Sequence, residues 1–148
     1  MVSQVPTSRT DNMRRLALLS FFILGVACDE GDVVTGFVPR PEPASRLGIQ
    51  VQPSDVTVLE AITPAVRVEI RNNAGQVVAN STLPVTMSIT PNTGTAGAAL
   101  SGQLIVNAES GVATFNNLRI NQAGTGYTLT ATAPGLTSVT TATFAVNP

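Results

Sequence analysis

Residues 126–133 read Gly-Tyr-Thr-Leu-Thr-Ala-Thr-Ala. Tyr127, Leu129, Ala131 and Ala133 alternate with Thr128, Thr130 and Thr132. Successive side chains of a strand point to opposite faces, so this alternation puts one set in a core and the other in water. A helix would instead need apolar residues three and four apart. Threonine suits the wet face, because a β-branched side chain fits the pleat. The same period governs Val66, Val68 and Ile70 against Arg67, Glu69 and Arg71. It recurs in Val85, Met87 and Ile89 against Thr86, Ser88 and Thr90, and in Ala142, Phe144 and Val146 against Thr141, Thr143 and Ala145. By this pattern Glu69 is expected on the polar side of its strand, as a solvated surface charge.

Turn residues separate these runs. Asn72-Asn73-Ala74-Gly75, Pro91-Asn92-Thr93-Gly94, Ser110-Gly111, Asn116-Asn117, Gly124-Thr125-Gly126 and Pro134-Gly135 follow one another along the chain. Gly and Asn tolerate the positive φ that tight turns need. The predicted strands are 47–52, 56–60, 65–71, 76–79, 84–90, 100–106, 111–120, 126–133 and 139–146. Seven to nine short strands within about 100 residues predict an all-β sandwich. No stretch after Cys28 carries a sustained helical stripe. With a single Cys and no Trp in the chain, the core must rest on aliphatic side chains and on Phe115, Tyr127 and Phe144.

Three segments carry a family resemblance. They are Gly111-Val-Ala-Thr-Phe-Asn-Asn-Leu118, Ala123-Gly-Thr-Gly-Tyr-Thr-Leu-Thr-Ala131 and Pro134-Gly-Leu-Thr-Ser138. Together they resemble the end of a bacterial Ig-like domain, of the kind repeated in invasin- and intimin-type surface adhesins. Gln52-Pro53, Ile62-Thr63-Pro64-Ala65-Val66 and Asn73-Ala74-Gly75-Gln76 are similar to the front of such modules. The resemblance covers residues 47–148 and implies an Ig-like sandwich with Greek-key connections. It also implies a structural role for Tyr127, with its ring at the core edge and its hydroxyl bonded to an upstream carbonyl. Two residues on, where antibody domains carry a cysteine, stands Leu129, so packing replaces the bridge. Modules of this family act mainly as stalks, spacers and displays, and a few bind receptors.

The N-terminal part reads as an address. Leu16–Ala27, LALLSFFILGVA, has no charge, follows Arg14-Arg15 and precedes Cys28. Twelve residues make about 18 Å of helix against a hydrocarbon core of about 30 Å. The run therefore fits the apolar region of a signal peptide, and residues 1–27 are expected to be one. The polar stretch before Met13 is unlike such a leader, and the true start is expected at Met13. Gly25-Val26-Ala27-Cys28 resembles the lipobox of bacterial lipoproteins, although that family prefers Leu where Gly25 stands. The resemblance implies lipidation of Cys28, with ordinary secretory cleavage near Ala27 as the alternative. Residues 28–46 contain Pro39, Pro41 and Pro43; alternating prolines favour an extended tether.

Composition narrows the function. The chain has 148 residues, no His, no Lys and a net charge of -1, with 11% of residues charged against about 25% in a typical domain. After Cys28 there are five arginines and eight acidic residues, a net charge of -3. Nucleic-acid binding needs clustered cations and is not expected. Catalytic triads built on His are excluded. The carboxylates of the domain, Asp55, Glu60, Glu69 and Glu109, are widely spread in sequence, and no acid/base pair is expected from them. No cofactor or metal is expected. Asn80-Ser81-Thr82 matches the N-glycosylation pattern and is read as chance. The expected function is a non-catalytic lipoprotein of the cell envelope, membrane-anchored and facing periplasm or exterior, that displays one module for structural, adhesive or protein-binding work. The alternative is a secreted or surface module that binds polysaccharide or another cell-surface polymer.

Overall fold

The computed structural model describes residues 42–148. The expected leader, Cys28 and the expected tether as far as Pro41 lie outside the described residues. The described part is all-β, with twelve short strands in two packed layers. Among the described residues no helix is long and apolar enough to cross a membrane.

The first layer is the sheet β1-β3-β7, formed by Arg46–Val51, Val66–Arg71 and Val112–Phe115, all antiparallel. The second layer centres on Leu129–Thr132 (β10), flanked by Pro84–Ile89 (β4) and Val139–Thr140 (β11). Ile105–Asn107 (β6) adds to the far side of β4. β10 continues Gly124–Tyr127 (β9), and β11 is continued by Phe144–Asn147 (β12), so two long strands each run in two pieces. Val56–Thr57 (β2) pairs in parallel with β12. Thus the first strand starts in one layer as β1 and crosses to the other as β2. Leu100–Ser101 (β5) and Arg119–Ile120 (β8) form a small separate ribbon. Chain neighbours are repeatedly placed in opposite layers, so the chain crosses often between the sheets of this sandwich.

Between the layers lie Val66, Val68 and Ile70 of β3, Val85 and Met87 of β4, Ala113 and Phe115 of β7, and Leu129 and Ala131 of β10. These are the inward sets of the alternating runs. Leu118, Ile120 and Ile62 close one end, with the Ile62 N–H donating to the Leu118 carbonyl at 2.8 Å. One flank is zipped: Leu47 N–H donates to the Thr137 carbonyl, and Thr137 N–H to the Ser45 carbonyl. The chain is therefore held to the sheets from Ser45 onward.

Several predicted strands are shorter than the sequence pattern suggested. Residues 76–79 form no strand; Val77 makes one isolated bridge to Arg71 and is 40% exposed. Only Val56–Thr57 survives of 56–60, because the chain turns at once, with Glu60 N–H donating to the Thr57 carbonyl. The stretch 100–106 is interrupted where the Asn117 side chain accepts the Gln103 N–H at 2.8 Å. Asn121 likewise takes the Ala99 N–H at 2.7 Å. These asparagine side chains replace ladder bonds with local ones.

Candidate functional site

Tyr127 stands at the end of β9 with no exposed surface. Its ring lies 6.0 Å from that of Phe144, and its hydroxyl donates to the Gln122 carbonyl at 2.9 Å. Leu129 is fully buried opposite Ile89, and its N–H is taken by the Thr141 hydroxyl at 3.0 Å. Phe115 is fully buried and Phe144 nearly so. All four side chains face the core and offer nothing to a ligand. Cys28 lies outside the described residues.

The two outer faces differ sharply in chemistry. On the second layer the outward residues of β4, β10 and β11 are mostly hydroxyls, Thr86, Ser88, Thr130, Thr132 and Thr140, and β6 adds the exposed Ile105 opposite Thr86. The Thr130 hydroxyl stands 2.8 Å from that of Thr90 and 3.2 Å from that of Thr140. The hydroxyls of Thr90, Thr130 and Thr140 form this short chain on an uncharged part of the face.

The outer face of β1-β3-β7 carries the charge. Arg67, Glu69 and Arg71 alternate along β3 at about 6.6–6.8 Å per step. Register pairs Arg46 directly with Arg71, and Gly48 with Glu69. Glu69 is 7% exposed, which corrects its expected solvated position. The outward direction is the one the alternation requires; burial comes from neighbouring side chains that cover the carboxylate. The Arg71 guanidinium donates to Oε2 from Nε at 2.8 Å and from Nη2 at 2.6 Å. Gln50 donates to Oε1 at 2.7 Å, brought there by a bulge between Ile49 and Val51. Gly48 leaves the space: a Cβ there would stand 2.8 Å from Arg71 Nε.

Arg71→Met should therefore leave a covered carboxylate without its cation. A fully buried pair broken this way loses about 3–5 kcal/mol. Because Arg71 is about one-third exposed, water screens the loss, and a destabilisation of about 1–2 kcal/mol is expected. Urea denaturation checks it, and Glu69→Gln/Arg71→Met should recover part of the loss.

Arg71–Glu69 is the one salt bridge among the described residues. Arg46 and Arg67 are exposed and pair with no carboxylate among the described residues; Arg67 Nε reaches the Thr114 hydroxyl, at 3.4 Å. Three arginines against Glu69 give the strands of this face a net charge of +2, which Glu109 in the adjoining groove lowers to +1. The described side chains outside these strands, Arg119 against Glu42, Asp55, Glu60 and Glu109, carry -3. Beside Arg67 a groove of about 320 Å³ runs between β6 and β7, lined also by Gln103, Asn107, Glu109, Thr114 and Asn116. A larger groove of about 530 Å³ is lined wholly by the loop Ile89–Ala98 and holds no titratable side chain. Among the described residues no three Cys, Asp or Glu gather as metal ligands. Sequence alternation placed the arginines outward but did not show that Arg46 stands opposite Arg71, because pairing register depends on both strands.

No family model and no curated protein matches the chain. Among solved structures it is similar to a β-glucuronidase of Parabacteroides merdae crystallised with glycerol in the active site, at 15% identity and a TM-score of 0.48. That match covers 74% of this chain and 13% of the enzyme. A second crystal structure of that β-glucuronidase matches at 14% identity and a TM-score of 0.44, over 68% of this chain and 12% of the enzyme. A β-glycosidase of Bacteroides vulgatus matches at 12% identity and a TM-score of 0.42, over 72% of this chain and 14% of the enzyme. The chain thus spans about one-eighth of the length of these enzymes. Likeness at this level does not extend to their activity.

Proposed function

We propose that this chain is a non-catalytic lipoprotein of the cell envelope that displays one Ig-like module from a lipid on Cys28. The observation that carries the address is Cys28 itself, the only cysteine, set directly after the uncharged run Leu16–Ala27. A chain without His has no imidazole to act as general acid or base near neutral pH. The described carboxylates that make side-chain bonds serve the fold: Glu69 holds Arg71, and Asp55 accepts the Ala145 N–H at 2.7 Å. The segments that resemble invasin-type modules support a display role for the sandwich.

Cys28→Ser tests the anchor. In cells the variant should move from the membrane fraction to the soluble fraction, because a lipid attached at the thiol is lost. Its urea midpoint should equal that of the parent. Retention in membranes after carbonate washing would exclude the lipid anchor and favour an uncleaved apolar segment.

A further inference from the structure

We infer that the outer face of β1-β3-β7, with the groove beside Arg67, is a binding site for a carboxylate-bearing polysaccharide, a polyuronate in chemical class. This deepens the display reading and rests on it only in taking the module to be a binding one. Lipidation at Cys28 is a separate matter.

Three observations converge on this ligand. First, Arg46 and Arg71 stand directly opposite on adjacent strands, an arrangement that costs stability unless an anion intervenes. Glu69 is already taken up by Arg71 and Gln50, so among the described residues no carboxylate meets the Arg46 guanidinium, which can take an external anion. Second, Arg67 lies four residues from Arg71 along β3, about 13 Å away. Both ends of the face are cationic, so the ligand that satisfies both is extended and repeats its negative charge. Third, the groove at the Arg67 end is lined by the amides of Gln103, Asn107 and Asn116 and the hydroxyl of Thr114. Amides and hydroxyls match the hydroxyl groups of a sugar chain. An anionic bilayer would use the arginines and leave this polar groove unfilled. Glu109 adds one carboxylate to the groove, so the polymer's own carboxylates must sit at the arginines and its hydroxyls at the amides.

The experiment is native-gel affinity electrophoresis of the full-length chain in detergent, with polygalacturonate cast in the gel and neutral dextran as control. The parent should be retarded by polygalacturonate and not by dextran. Arg46→Ala/Arg67→Ala should weaken the apparent affinity about tenfold or more, whereas Arg46→Lys/Arg67→Lys should hold it within a few-fold. Both arginines are exposed, so these variants should melt no lower than the parent, and loss of Arg46 opposite Arg71 should if anything raise the midpoint slightly. Glu109→Gln should tighten binding about two- to fivefold by removing repulsion. Arg119→Ala, away from this face, should change nothing. About 1 M NaCl, where the screening length is about 3 Å, should abolish retardation. The inference is overturned if the parent is not retarded, if the double alanine variant is retarded equally, or if dextran retards as strongly. Flotation with phosphatidylglycerol vesicles without retardation by polygalacturonate also overturns it, in favour of a membrane face. The Cys28→Ser chain should bind polygalacturonate like the parent, which separates failure of this site from failure of the anchor.

Discussion

Gly94→Ala is expected to lower stability by about 2–6 kcal/mol and to bring the sandwich close to unfolding. Gly94 has φ +66, and a Cβ there would stand 2.2 Å from Cδ1 and Cε1 of the Tyr127 ring. The positive φ costs a non-glycine residue about 1–3 kcal/mol. Displacing a packed ring costs about 1–3 kcal/mol more. The ring has no free direction, because it is fully buried, touches Phe144 and is tied through its hydroxyl to Gln122. Total stabilities of about 5–15 kcal/mol leave little after such a loss. Gly126→Ala isolates the two terms: its φ is +74 with no atom within 4 Å of the added Cβ. That variant should lose only the conformational part. Equal urea midpoints for the two variants would show that the contact with Tyr127 is unimportant.

Phe115→Ala is expected to cost about 3–5 kcal/mol through lost burial and the cavity left behind. Phe115 has no exposed surface and pairs with Val66 at the end of the β3-β7 ladder. Phe144→Ala should approach the same loss, since Phe144 is 5% exposed and lies against Tyr127. Thr130→Ala supplies the contrast. Its hydroxyl is shared with Thr90 and Thr140 on the outer face, and its removal should cost only about 0.5–1 kcal/mol. Urea melts that rank Thr130→Ala below either phenylalanine variant would mean that inward and outward faces are exchanged.

The parts of the fold legible in sequence are those where alternation alone decides. Val66–Arg71 and Pro84–Ile89 appear almost at their predicted bounds, because each carries three inward apolar residues at a period of two. Residues 76–79 offered apolar Val77 and Val78 without that period, and the chain there follows the turn set by Asn72. The Asn72 carbonyl accepts the Gly75 N–H, and its side chain accepts the Gln76 N–H. The breaks at 102–104 and 116–118 meet where Asn117 reaches across to Gln103, and Asn121 reaches to Ala99 at the far end of the β5-β8 ribbon. Such bonds join residues 14 and 22 positions apart, which no local window contains. The candidate site was half legible for the same reason. The outward direction of Arg67, Glu69 and Arg71 follows from alternation. The burial of Glu69 and the meeting of Arg46 with Arg71 follow from the register of β1 on β3 and the space at Gly48.

The central claim concerns the mature N-terminus, because a displayed module needs its anchor. Mass spectrometry of the N-terminal peptide, taken from the membrane fraction of cells that produce the chain, tests it most directly. The account predicts a peptide that begins at Cys28 and carries a thioether-linked diacylglycerol. An unmodified peptide beginning at or near Cys28, or one that still contains Leu16–Ala27, would contradict it.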